Sequence, residues 1–313
     1  MPPSRAACDA SAGVCELAST PESTLARPTD GSAVKATLLY VTDPICSGCW
    51  AFEPTWRRLR YHYEDVVTVR TIYGGLLPGW EGFSDPGAGI AAPADVAPHW
   101  EHVAARTGQP INPDVWHTDP PCSSYPASKA AHIVRMLAPA VEERFLRRVR
   151  EAVFLEARNV ARRDVLVGCA AEAGIDAQAF SGLFDADAGA HGLATDLRER
   201  RALGVRQFPT LLISTEAGQR PRALVVGARP WAEVESALLS ALAIPGAEPA
   251  TAPTVDAALD AYRSGTTLEF ATLLELAPLQ TESQLQAAGS ARRRRGSGHH
   301  WIASRATEPT VTR

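Results

Sequence analysis

Two cysteines separated by two residues, Cys46-Ser47-Gly48-Cys49, stand directly after a short apolar run and open a stretch with helical spacing. Thiols placed so in the first turn of a helix are close enough to form a strained, reducible disulfide, and the first sulfur meets backbone N–H groups that have no helical partner. That environment favours a thiolate. The helix end contributes up to about 2 kcal/mol, or roughly one and a half pH units, so Cys46 is expected as the charged, attacking thiol. Cys49, deeper on the helix, would then resolve the mixed disulfide. The intervening Ser47 and Gly48 add no charge.

Zinc is the main rival for any such pair, but a structural zinc site takes four ligands, usually as two close pairs. No second pair of this spacing exists: Cys8 and Cys15 have six residues between them near the N-terminus, Cys122 and Cys169 stand alone, and His299-His300 is near the other end. Neither a metal nor a cofactor is called for. A second motif, Phe208-Pro209-Thr210, immediately precedes a strand-like run. Proline is ordinary at a strand's first position, and taken alone its chance of a cis bond is only about 5%.

The elements that must position these residues are legible around them. Ala36 to Val41 is a short, partly β-branched run and reads as a buried strand. From Cys49 to Tyr63 the residues Trp50, Phe52, Trp56, Leu59 and Tyr63 recur at helical spacing, with Pro54 expected to bend the helix one turn in. Val66 to Ile72 alternates as a second strand, parallel to the first, completing a βαβ unit. Residues 74–121 are dense in Gly, Pro and Trp and predict a long irregular or short-helical segment. Helical spacing then covers 128–137, 140–156, 164–173, 177–184 and 188–203. Strands return at 210–213 and 223–226, where a Gly-containing connection predicts a hairpin, and a helix follows over 231–242.

These patterns divide the chain into a disordered leader over 1–33, a core domain formed by 34–75 and 204–243, and a helical insertion over 76–203. A Pro/Ala/Gly linker over 244–254 leads to an appendage and polar tail over 255–313. In the appendage, Thr266-Thr267-Leu268-Glu269 starts a helical stretch, and Arg292 to Arg295 is a basic run that could touch an anionic partner.

In order, Asp43 to Pro54, Gly74 to Leu77, Ser123 to Ala127, Arg150 to Glu156, Gly204 to Leu211 and Gly227 to Trp231 resemble DsbA-family thioredoxin-fold proteins, over roughly residues 38–242. The likeness is nearest to the cytosolic branch, with the FrnE-like proteins and the ClpXP adaptor proteins that deliver a redox-responsive regulator for degradation. It implies an α/β thioredoxin fold with an inserted helical domain, Cys46 as nucleophile, Cys49 as resolving thiol, and Pro209 as a cis-proline facing them. Phe208 would offer its backbone to an extended substrate. The appendage faintly resembles a winged helix, which suits contact with a protein or nucleic acid better than catalysis.

Departures narrow the function. Ser47-Gly48 is not the dipeptide of the periplasmic oxidants, the second cysteine motif of some FrnE-like members is missing, and no apolar run near Met1 reads as a signal peptide. The expectation is therefore a cytoplasmic thiol-disulfide oxidoreductase of reductase or isomerase type, acting on protein or low-molecular-weight disulfides. Two alternatives stand beside it: a non-catalytic adaptor that presents a client to the ClpXP protease, and, disfavoured by the presence of Cys49, an isomerase that uses glutathione on small aromatics. With a formal charge of -4 and only Lys35 and Lys129 as lysines, the chain has no global attraction for nucleic acid or acidic membranes.

Overall fold

The computed structural model describes residues 8–9, 14–16, 36–215, 223–242 and 250–304. Its centre is strand β3 (Ala36–Thr42), whose alternate residues Ala36, Leu38 and Tyr40 are all buried on one face, as a period-two strand in a covered sheet requires. Two short strands, β1 (Cys8–Asp9) and β2 (Val14–Glu16), precede it and pair with each other. Those five residues are thus ordered within the stretch expected as a leader, and the rest of that stretch lies outside the described residues. Helix α1 (Ser47–Ala51) follows β3, and α2 (Glu53–Tyr63) continues after a break at Phe52. Pro54 causes that break, because it has no N–H to donate and stands in the first turn of α2.

Strand β4 (Val67–Tyr73) returns parallel to β3, while β5 (Thr210–Ser214) and β6 (Ala223–Val226) add antiparallel strands, giving the order β1-β2-β6-β5-β3-β4. The turn expected between β5 and β6 lies outside the described residues, as does most of the expected linker. One face of the sheet packs on Phe52, on Trp56 and Leu59 of α2 and on Val234 and Leu238 of α10 (Trp231–Leu242). This is a thioredoxin fold.

The helical insertion between β4 and β5 holds α3 (Val96–Thr107), α4 (Val115–Thr118), α5 (Tyr125–Leu137), α6 (Glu142–Phe154), α7 (Arg163–Glu172), α8 (Ala177–Asp185) and α9 (Ala190–Ala202). Its core is aromatic and aliphatic, with Trp100, Trp116, Phe145 and Phe154 fully covered. Trp50, the residue after Cys49, belongs to this core: its ring stacks on Phe154 at 5.3 Å and its indole N–H donates to the Pro110 carbonyl at 2.8 Å. A single side chain thus fixes the cysteine helix to the insertion.

The C-terminal part forms α11 (Val255–Ala261), β7 (Ser264–Thr266), α12 (Thr267–Leu274), α13 (Pro278–Ala287), β8 (Ala291–Arg295) and β9 (Gly298–Ile302). The three strands pair in the order β7-β9-β8, so the module has winged-helix topology. Thr266 and Glu269 cap α12 reciprocally: the Thr266 hydroxyl accepts from the Glu269 N–H at 3.2 Å, and Glu269 accepts from the Thr266 N–H at 3.0 Å. Arg292 to Arg295, the basic run of the appendage, form most of β8. They pair with β9, whose Trp301 is buried among Leu259, Phe270 and Leu285.

The module is joined to the rest by charges taken out of water. Glu269 accepts hydrogen bonds from Arg57 of α2, Arg147 of α6 and Gln109. Its side chain is 1% exposed. No helix among the described residues is long and apolar enough to cross a membrane.

Candidate active site

Cys46 is the N-cap of α1 and Cys49 sits in its first turn, so the sequence reading of the local geometry holds. The Cys46 sulfur accepts the Cys49 backbone N–H at 3.1 Å, the orphan donor that a helix start provides. On its other side it lies 3.8 Å from the carbonyl oxygen of Phe208. The Phe208–Pro209 peptide is cis. Residues 162 positions apart in sequence therefore meet at one sulfur. Cys46 is 6% exposed and Cys49 is fully covered, so only the first sulfur borders the cleft.

That cleft, of about 760 Å³, is lined by Cys46, Ser47, Phe208, Trp80, His99 and Trp100 among others. Helix α3 supplies His99, whose Nε2 lies 3.2 Å from the Ser47 hydroxyl. Burial holds the His99 imidazole below its usual pKa, favouring the neutral ring. The segment 74–121 was expected to be irregular or short-helical, and its helices, α3 among them, were not placed. Val96, Ala97, Trp100, Val103 and Ala104 did carry a helical spacing, obscured by Pro98 and by the glycines before it.

Gly74 has a defined part in this geometry. A Cβ there would fall 2.1 Å from the Phe208 ring, so the missing side chain is the space the ring occupies. Gly48 is similarly close, with a Cβ 3.1 Å from the Phe208 carbonyl oxygen. Asp43, buried just before the cysteines, ties the approach loop down: its carboxylate accepts from the Ile45 N–H (3.1 Å), the Leu76 N–H (2.7 Å) and the Ser124 hydroxyl (2.8 Å). Its burial raises its pKa despite those donors.

Beneath Cys49 lies the charged floor of the site. Arg150 of α6 is 1% exposed and donates to Glu53 and to the Thr42 hydroxyl. Glu53 is buried and paired with Arg150 and Arg147. The electrostatic order of the two thiols also differs from the helix-end argument. Burial opposes charge on both. Cys49 is nonetheless held below the ordinary thiol value by a hydrogen bond from the Cys46 thiol, by the Arg150 guanidinium and by Thr42. Burial, together with the neighbouring Cys49 sulfur, pushes Cys46 well up. Cys49 is therefore the first of the two to give up its proton, because two adjacent sulfurs cannot both ionise cheaply and the Arg150 guanidinium favours the inner one.

Comparison with known proteins now places this architecture. The family model described as Thioredoxin matches residues 39–236, the whole of the strand, cysteine and insertion framework just described. The chain belongs to the thioredoxin family, as a DsbA-like member. It is 30% identical to the ClpXP adapter protein SpxH of Halalkalibacterium halodurans, over 78% of this chain and 79% of that protein. It is 28% identical to the SpxH of Shouchella clausii over 89% of each chain. Among solved structures, a proposed protein disulfide isomerase from Nitrosomonas europaea superposes with a TM-score of 0.57 and 24% identity, covering 68% of this chain and all of that one. That likeness concerns the fold.

Of the other cysteines, Cys122 is exposed and Cys169 is buried on α7, with its thiol pushed up to about 11 by desolvation. Neither lines the cleft. Arg150, Thr42 and His99 were missed as site residues. Arg150 sat inside the quoted family stretch, but its residue type gave no sign of facing a sulfur a hundred positions away.

Proposed function

We propose that this chain is a thiol-disulfide oxidoreductase in which Cys46 attacks a substrate disulfide and Cys49 resolves it. The observation that carries the reading is the Cys46 sulfur bordering the cleft between the Cys49 N–H and the Phe208 carbonyl, with a covered second thiol beside it. Cys46 bonds to one substrate sulfur as the substrate S–S bond breaks and the other sulfur leaves as thiolate. The Cys46 proton passes to the Cys49 sulfur in this step. Cys49 then attacks the Cys46 sulfur, the mixed disulfide breaks, and that proton passes to the departing thiolate. Two electrons have moved from the dithiol to the substrate, and a low-molecular-weight thiol or dithiol donor restores the pair. The backbone of Phe208, ahead of Pro209, offers an extended substrate its pairing edge. A reducing compartment, the cytoplasm, suits a pair kept as dithiol.

Disulfide reduction coupled to glutathione or insulin tests this. Wild type should turn over and Cys46→Ser should lose activity to background. Equal rates would defeat the assignment.

The SpxH relatives favour a second reading, an adapter that presents a client protein to ClpXP, for which the winged-helix module adds surface. Under that reading client binding survives Cys46→Ser and Cys49→Ser unchanged, whereas a catalytic partner would be lost or trapped as a mixed disulfide.

A further inference from the structure

The turn between β8 and β9, Gly296-Ser297, ends against the loop that joins α3 to α4. A Cβ on Gly296 would fall 2.1 Å from the Ile111 carbonyl oxygen and 2.7 Å from the Asn112 nitrogen, and one on Gly298 would lie 3.1 Å from Pro110. Gly296 also turns the chain at φ +52°, so glycine serves there both the turn and the close approach. Gln109, fully buried at the start of the same loop, is held by the module too. Its amide nitrogen donates to Glu269 at 2.7 Å, and its amide oxygen accepts from the Thr266 hydroxyl at 2.8 Å.

From its other side this loop holds the cysteine helix. The Pro110 carbonyl accepts the Trp50 indole N–H at 2.8 Å, and the Asn112 N–H donates to the carbonyl of Phe154, on whose ring Trp50 stacks. A second route runs through Arg147, whose guanidinium lies 4.7 Å from the Trp50 ring centre while it donates to Glu269. Both routes from the module end on Trp50, the fully covered neighbour of Cys49. An indole N–H that lost its carbonyl here would be a buried donor without a partner, a costly state that local loosening relieves.

We propose that the wing of the C-terminal module is a positioning element of the redox site: Gly296 and Gln109 hold the 109–112 loop against Trp50 and so keep Cys46 covered in its helical turn. The module thus belongs to the site that attacks the disulfide, besides any surface it offers to a partner. This rests on the redox reading for its consequence in turnover, but the contact itself is tested on the protein's own thiols.

The reduced full-length protein is pulsed with iodoacetamide at neutral pH, and Cys46 and Cys169 are followed by peptide mapping. Gly296→Ala pushes the loop away and Gln109→Ala unties it; each should speed Cys46 labelling about tenfold, the effect of one buried donor left unpaired on local opening. Cys169, buried on α7 elsewhere in the insertion, should keep its wild-type rate, which separates a loosened turn from a loosened protein. Gly289→Ala is the control for backbone strain, since Gly289 has φ +74° in the same module and a Cβ there meets only the Ser304 hydroxyl at 3.8 Å; it should leave Cys46 unchanged. Trp50→Phe, which lacks the indole N–H, should match Gly296→Ala, and the two together should label no faster than either alone. Should Gly296→Ala not fold, Gln109→Ala decides. Wild-type Cys46 rates in both loop variants, an equal rise at Cys46 and Cys169, or a Gly289→Ala effect as large as that of Gly296→Ala would overturn the proposal. In the disulfide-reduction assay Gly296→Ala should turn over about tenfold more slowly than wild type. A wild type that shows the labelling pattern but reduces no disulfide would defeat the catalytic reading alone.

Discussion

Replacing Glu269 with glutamine should loosen the winged-helix module from the thioredoxin core, and the size of the effect follows from the carboxylate's surroundings. Its oxygens accept from Arg147 Nη1 (2.6 Å) and Nη2 (3.0 Å), Arg57 Nη1 (2.5 Å), Gln109 Nε2 (2.7 Å) and the Thr266 N–H (3.0 Å). Despite full burial, which alone would raise it, the pKa is held at about 2 by Arg147 and Arg57, against an ordinary 4.5. At about 1.36 kcal/mol per pH unit, that depression corresponds to ~3 kcal/mol. The figure agrees with the roughly 3–5 kcal/mol lost when one partner of a buried ion pair is removed. The sign is fixed: a depressed carboxylate contributes fully above its unfolded pKa and loses that contribution as pH falls through its folded one. Stability should therefore drop between pH 4.5 and about 2 in the wild type. Glu151, held low beside Arg147 and His300, adds to the same decline. Urea unfolding followed by tryptophan fluorescence at neutral pH should show Glu269→Gln less stable by ~3 kcal/mol, with a flatter acid limb. A variant as stable as wild type, with an unchanged acid limb, would refute the argument that these charges hold the module.

Gly74→Ala should keep the fold but push the half-buried Phe208 ring aside, since the added Cβ would lie 2.1 Å from it; turnover in the disulfide-reduction assay should fall roughly ten- to a hundredfold. A full-rate Gly74→Ala would remove Phe208 from the site. Cys169, fully covered and with its thiol near 11, should resist alkylation at neutral pH until the protein unfolds, whereas exposed Cys122 labels in the native state; peptide mapping after a pulse of iodoacetamide distinguishes them. Asp43→Ala should strip the approach loop of three hydrogen bonds and cost ~1–3 kcal/mol in stability for the donors left buried, read by the same urea titration.

The sequence by itself determined the features whose physics is local. Cys46 and Cys49 share a helical turn because two residues separate them and a strand precedes them; Pro54 breaks the helix wherever the chain folds; Thr266 and Glu269 cap α12 because capping reaches only three residues along. The alternation in Ala36, Leu38 and Tyr40 likewise sufficed to give β3 a covered face. Tertiary structure alone decided which thiol is the more acidic. That depends on Arg150 and Thr42, a helix residue and a strand residue brought under Cys49 by packing, and no spacing rule announces a guanidinium buried a hundred positions from the sulfur it faces. The same holds for Glu53, whose burial depends on Arg147 and Arg150, and for Arg292 to Arg295, a basic run that pairing with β9 made a strand. Charge and burial are properties of a neighbourhood, and a neighbourhood exists only once the chain has closed on itself.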